Sequence, residues 1–69
     1  MNMPLKQYER VRLRTDRFVS DGAKKGDVGF VIEIYPDGNV EVEFSNADGV
    51  SYAQLVATPE DLESVDDEE

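Results

Sequence analysis

The chain has 69 residues with no cysteine and no histidine, and its formal net charge is −9. This length allows one small domain, and the two missing residue types exclude disulfides, thiol-ligated metals and the commonest general base, so we expect a binding protein with no catalytic site, metal or cofactor. No apolar run is long enough for a membrane span or a signal peptide, which predicts a cytoplasmic protein with no membrane partner.

The first predicted element is a strand over residues 9–14, where apolar and basic side chains alternate. Val11 and Leu13 share one face of this strand, and arginines occupy the other, as in a half-buried strand. Residues 15–27 are mostly polar and include two glycines. They predict a long loop that Phe18 anchors in the core.

A hairpin is predicted next. Residues 28–35 are rich in β-branched and aromatic side chains and run into the turn sequence Pro-Asp-Gly-Asn at 36–39. Residues 40–44 then alternate apolar and acidic side chains. Simple alternation of inward and outward side chains fails in the strand at 28–35. A β-bulge there would let both Val31 and Ile34 point inward.

The third hairpin strand is predicted over residues 50–56, after a second turn at 46–49. Residues 58–61, Thr-Pro-Glu-Asp, place a capping hydroxyl before a proline and two acids, which predicts a single helical turn. Leu62 follows as one of the last apolar residues that can close the core.

These elements predict an all-β fold in which five short strands form a small, strongly bent barrel. The barrel would occupy residues 1–65, and residues 66–69 would form an acidic disordered tail. Curling the sheet would enclose ten apolar side chains: Val11, Leu13, Val28, Val31, Ile34, Val40, Val42, Phe44, Leu55 and Leu62.

The stretch Gly-Asp-Val-Gly-Phe-Val-Ile-Glu-Ile at 26–34 resembles SH3-like barrels of the KOW type, which carry a G-x-x-G-x-V-x-x-I core. From Tyr8 to about Leu62, the chain is also similar to a family of short bacterial proteins described only as a domain of unknown function. The resemblance implies a five-stranded SH3-like barrel with one short helical turn before the last strand. It also implies an antitoxin or immunity role, because members of that family often accompany a toxin-like partner.

The charges of the chain are divided along its length. All seven cations lie between Lys6 and Lys25, whereas thirteen acids and no cation follow from Asp27 onward. Such a segment repels nucleic acid and attracts a basic protein surface. We therefore expect a basic protein partner, such as a toxin, and we expect the chain not to bind nucleic acid.

The candidate partner-binding residues are tyrosines and carboxylates that the pattern places on the surface: Tyr35, Asp37, Glu41, Glu43 and Tyr52. A tyrosine among charged groups is typical of a protein-binding hot spot. An internal role is open for the two glutamates, which could instead neutralise an arginine stripe formed by Arg10, Arg12 and Arg14. Two other functions stay open for the chain, an accessory barrel that docks on a larger enzyme and a KOW-like RNA-binding module.

Overall fold

A computed structural model describes residues 5–65 of the chain, so the predicted tail at 66–69 lies outside the described residues. Within this range the only helical elements are two 3-10 turns, Val19–Asp21 and Pro59–Asp61. None of the helical elements in these residues is long and apolar enough to cross a membrane. The five strands are β1 (Arg10–Leu13), β2 (Val28–Ile34), β3 (Val40–Ser45), β4 (Ser51–Ala57) and β5 (Leu62–Ser64).

The strands form one antiparallel sheet in the order β4-β3-β2-β1-β5. Sequential strands pair from β1 to β4, and β5 then returns to pair with β1 at the other side of the sheet. In the described part of the chain, β4 and β5 are therefore the two edges. This confirms the predicted all-β class with five strands and one helical turn before the last of them.

The core lies on one face of the curled sheet and under the β1–β2 loop. Phe18 is buried, as predicted for the anchor of that loop. Val28 is only half-buried, so its predicted place in the core is wrong. The buried apolar side chains are Val11, Leu13, Phe18, Ala23, Val31, Val40, Val42, Phe44, Ala53, Leu55, Ala57 and Leu62.

The predicted β-bulge lies in the middle of β2. The β2–β3 register shifts between Val31 and Glu33, which leaves Ile32 as the extra residue. Val31 is fully buried, but Ile34 is 40% exposed, so its predicted core position is wrong. Ile34 pairs with Val40 and shares its face of the sheet, but it lies at the end of β2 beside an exposed turn, where little covers it.

Gly29 lets β2 pass closely over the core. A Cβ atom at this position would lie 2.5 Å from the carbonyl oxygen of Glu43 and 2.8 Å from Cδ1 of Phe44. Any side chain at this position would therefore push β2 away from β3. The close approach keeps the two strands of the hairpin in the register that sets its outer face.

Candidate protein-binding surface

The outer face of the β2–β3 hairpin carries a row of carboxylates. Glu33 and Glu41 lie directly opposite each other, and Glu43 lies opposite Phe30. Alternate residues of β3, Val42 among them, are buried, so the glutamates between them point outward. We call Glu33, Glu41 and Glu43 the acidic face.

Glu41 is held in place by two neutral donors. The Tyr35 hydroxyl donates to Oε1 of Glu41, and the side-chain amide of Gln54 in β4 donates to Oε2. These hydrogen bonds, led by that of Tyr35, lower the pKa of Glu41, while the carboxylate raises the pKa of Tyr35. Glu41 is therefore ionised and fixed in direction, and because neither donor is charged, neither compensates its negative charge.

Asp37 lies in the turn between β2 and β3. Its Oδ1 accepts a hydrogen bond of 2.9 Å from the backbone N–H of Asn39, and its Oδ2 accepts one of 3.3 Å from the Asn39 side chain. Gly38 takes the positive φ of 92° that this tight turn requires. Asp37 thus shapes the hairpin end and adds an exposed carboxylate beyond the acidic face.

Three cations have carboxylate partners within residues 5–65, and these pairs lie away from the acidic face. Arg12 in β1 pairs with the residue opposite it in β5, and Arg17 and Lys24 belong to the β1–β2 loop. The ion pairs between side chains in residues 5–65 are Arg12–Glu63 at 2.9 Å, Arg17–Asp61, and Lys24–Asp27 at 3.1 Å.

The pairing of Arg12 corrects, for that residue of the arginine stripe, the expectation that the stripe neutralises Glu41 and Glu43. The stripe is on β1, and β2 separates β1 from β3. Arg12 instead reaches Glu63, because β5 lies on the other side of β1. Alternation had placed the arginines on the correct face but could not identify the neighbouring strand.

Tyr52 lies apart from the other predicted binding residues. The β3–β4 register shifts between Phe44 and Ser45, which makes Tyr52 the extra residue of a second bulge. Its ring contacts Phe44 with centroids 6.3 Å apart. It lines a cleft of about 230 Å³ together with Val19, Gly22, Ala23, Lys24 and Asp27.

The polar groups of this cleft satisfy one another. Burial raises the pKa of Asp27, but hydrogen bonds from the backbone and side chain of Lys24 outweigh it and hold the pKa below its ordinary value. The same contact raises the pKa of Lys24, and burial beside Asp27 raises the pKa of Tyr52. The cleft therefore holds an ion pair beside a neutral phenol. No cluster of three potential metal-ligating side chains occurs in residues 5–65.

The model of a protein family described as a domain of unknown function, DUF4926, matches residues 7–64. The chain belongs to this family. No curated protein and no solved structure matches it. The expected membership of a domain family of unknown function is thereby confirmed, whereas the likeness to KOW-type barrels stays a prediction.

The DUF4926 match includes all five strands and every predicted binding residue. Of those residues, the structure brings Tyr35 and Glu41 into contact and puts Glu43 on the same strand face, with Asp37 at the adjoining turn. Tyr52 belongs to a different surface, the cleft.

Sequence reasoning missed three residues of this DUF4926 surface. Glu33 faces Glu41, while Phe30 and Val56 are 43% and 48% exposed and lie opposite Glu43 and Glu41. Each of these two glutamates thus has an exposed apolar neighbour. Pairing residues on either side of the turn at 36–39 would have placed Glu33 opposite Glu41. The exposure of Phe30 could not be found in this way, because the bulge determines which face of the sheet its side chain lies on.

Proposed function

We propose that this DUF4926 domain is a small acidic protein-binding module that acts in the cytoplasm as an antitoxin or immunity protein. It works by binding and not by catalysis, and it occludes a basic surface of its partner with the acidic face. One observation carries the proposal: Glu33, Glu41 and Glu43 point outward together, and the ion pairs of residues 5–65 lie elsewhere.

A cationic partner would relieve a cost that the acidic face carries. Glu33 and Glu41 are like charges directly opposite each other, an arrangement that destabilises a sheet. An arginine or lysine placed between them would remove the repulsion, and complementary charge would also speed the encounter.

The same face offers apolar contact area. Phe30 and Val56 are exposed beside the glutamates, and hot spots commonly place aromatic or aliphatic groups within a polar surround. Tyr35 also belongs to this face, because its hydroxyl is hydrogen-bonded to Glu41. The surface therefore supplies both charged groups and apolar area that a partner can bury, as a specific protein interface requires.

The test is to isolate the partner from native lysate and to measure its association with two variants of equal charge. E41K/E43K reverses two charges on the acidic face, and E60K/D48K reverses two exposed acids outside it. We expect E41K/E43K to slow association about tenfold or more at low salt and the control to change it about threefold or less. Circular dichroism and urea unfolding would show that both variants fold.

Two results would contradict the proposal. If both variants slowed association equally, only net charge would matter and the acidic face would have no special role. If the protein eluted alone at every salt concentration, the basic partner itself would be missing.

An accessory barrel that docks on a larger enzyme is the second candidate. Exposed apolar residues outside the acidic face favour it, namely Val19 and Val50, which are 57% and 60% exposed. A complex that is indifferent to salt and to E41K/E43K, yet weakened by changes at Val19 or Val50, would support this function over the first.

RNA binding through the arginines of β1 and the following loop is the third candidate function. Carboxylates already neutralise two of these arginines. Arg12 and Arg17 are already bonded to Glu63 and Asp61. A gel shift with RNA at about 50 mM salt is the corresponding test, because weak electrostatic binding is strongest at low salt. Retardation there would favour RNA over the basic protein partner.

A further inference from the structure

Within residues 5–65, β4 presents backbone N–H and C=O groups that pair with no neighbouring strand at the edge of the sheet. The N–H of Tyr35 donates to the carbonyl oxygen of Asn39 at 2.8 Å, so Asn39 faces β2. Along a strand, the backbone N–H and C=O groups of successive residues point to alternate sides. The backbone groups of Val40, Val42 and Phe44 therefore point towards β4. The backbone groups of their partners Ala57, Leu55 and Ala53 point towards β3. The N–H and C=O groups of Gln54 and Val56 therefore point away from β3, out of the open edge of the sheet.

Both ends of this open stretch are closed by the fold. At the start of β4, a Cβ atom on Gly22 would lie 3.4 Å from the carbonyl oxygen of Tyr52, so the β1–β2 loop covers the edge there. After β4, the N–H of Thr58 donates to Asp61 Oδ2 at 3.0 Å, and its carbonyl accepts from the Asp61 N–H at 3.0 Å. The open edge therefore consists of the four outward backbone groups of Gln54 and Val56.

The composition of this edge does not protect it from pairing. Exposed edge strands are commonly blocked by charged side chains, by proline or by a bulge. The seven residues Ser51–Ala57 contain no charge and no proline, and the bulge at Tyr52 lies before the open stretch. The edge is therefore competent to add a strand.

The surroundings of the edge define the chemistry of the added strand. On the outer side, Gln54 and Val56 lie beside Glu43 and Glu41 of β3, within reach of long cationic side chains. On the inner side, Ala53 and Leu55 are each 7% exposed, the highest exposure among the buried core residues. An added strand thus meets carboxylates with one face and the rim of the apolar core with the other.

We propose that the open edge of β4 binds an extended segment of the partner protein by antiparallel strand addition, and that this segment alternates lysine or arginine with apolar residues. The inference rests on the proposed function and specifies how the basic partner binds. A second copy of this chain is the less suitable occupant, because its net charge is also −9.

The first test uses synthetic peptides of about nine residues that alternate lysine and valine, the length of a strand. In antiparallel addition the lysines lie opposite Gln54 and Val56, so their own N–H groups point at β4. N-methylation of the lysine amides should weaken binding about tenfold or more, whereas N-methylation of the valine amides should change it about twofold or less. The folded protein is the same in both measurements.

The second test alters the edge itself. V56P removes an outward N–H that bonds to no other strand, and V56T is its matched control because it keeps the N–H and the β-branched shape. We expect V56P, but not V56T, to weaken binding of the unmethylated peptide about tenfold. The peptide should also slow amide hydrogen exchange at Gln54 and Val56.

Equal binding of the two methylated peptides, with no slowing of exchange, would overturn strand addition while leaving electrostatic docking on the acidic face intact. A peptide with the lysines and valines in separate blocks that bound as tightly as the alternating one would do the same. A dimer of the free protein that V56P abolishes would identify a second copy as the occupant and overturn the inference. Failure of every cationic peptide, together with no partner in lysate, would overturn the proposed function as well.

Discussion

Asp61 shows how one side chain joins parts of the chain that are far apart in sequence. Its Oδ2 accepts hydrogen bonds from the backbone N–H and the hydroxyl of Thr58, at 3.0 and 3.1 Å, and also from Arg17. The order Thr-Pro-Glu-Asp predicted the cap of a helical turn, and the turn is present. The bond from Arg17 could not be predicted, because it depends on where the β1–β2 loop folds back.

The first prediction is a dependence of stability on pH through Asp61. Burial raises the pKa of Asp61, but hydrogen bonds from Thr58 and Arg17 outweigh it and leave the pKa below its ordinary value of 3.8. The carboxylate therefore stabilises the fold above pH 3.8, and this contribution is lost as the pH falls through the lower pKa of the folded state. Asp61→Asn should cost about 1 to 2 kcal/mol at neutral pH and flatten the acid side of the stability profile.

Urea unfolding at a series of pH values, followed by circular dichroism, measures both effects. Asp48→Asn is the control, since it removes an exposed carboxylate in a turn, and it should leave the free energy of unfolding at neutral pH unchanged. If the stability of Asp61→Asn depended on pH in the same way as that of the original protein, the Asp61 carboxyl would have the same pKa in the folded and unfolded states, and the prediction would be wrong.

The two bulges shape the elements around β3. Ile32 is the extra residue on the β2 side and Tyr52 on the β4 side. The first bulge leaves Val31 buried and Phe30 exposed on the acidic face, and the second belongs to the stretch of β4 that lines the cleft. Failed alternation revealed the first bulge in the sequence, but the pattern of β4 was too weak to reveal the second.

The second prediction compares two β2 side chains that the sequence placed together in the core. Val31 is fully buried, whereas Ile34 is 40% exposed. Val31→Ala should lower the free energy of unfolding by about 2 kcal/mol because it leaves a cavity, and Ile34→Ala should cost under about 1 kcal/mol. Chemical denaturation of both variants checks this, and equal costs would mean that Ile34 is covered in solution.

At the scale of the whole molecule, opposite charges occupy different regions. Arginines of β1 and its following loop meet the acids of the last helical turn and β5, while the hairpin carries Glu33, Glu41 and Glu43 on one face. Like charges therefore repel each other across the hairpin, where Glu33 lies opposite Glu41. A surface that is unfavourable within the chain is available to a cationic partner.

The third prediction follows from this arrangement. Glu33→Lys should raise the urea midpoint, because it replaces repulsion of Glu41 by attraction, and it should weaken the association with the basic partner. Added salt should stabilise the original protein more than this variant, since salt screens the repulsion.

Glu63→Lys is the matched control, since it makes the same change of charge opposite Arg12. It should lower the urea midpoint, because it replaces the ion pair with two like charges. Midpoints that shift in the same direction for both variants would show that net charge, and not its placement, governs stability.

The binding surface was predictable only in part. Alternation placed Glu41 and Glu43 outward, and the turn at 36–39 joined Tyr35 to the same hairpin. Phe30 and Val56 were not identified, because their exposure depends on a bulge and on the partner strand. Tyr52 was assigned to this surface although it lines the cleft.

The sequence by itself determined the strands β1 to β4, the hairpin turn, the capped helical turn and the division of charge, because each depends on residues close together in the chain. Only the tertiary structure decided that β1 lies between β2 and β5, that Arg12 therefore meets Glu63, and that β4 is left at an open edge. Alternation reports which face of a strand is buried. The neighbour of that strand depends on how the whole sheet curls around its core, which involves contacts between residues far apart in the sequence.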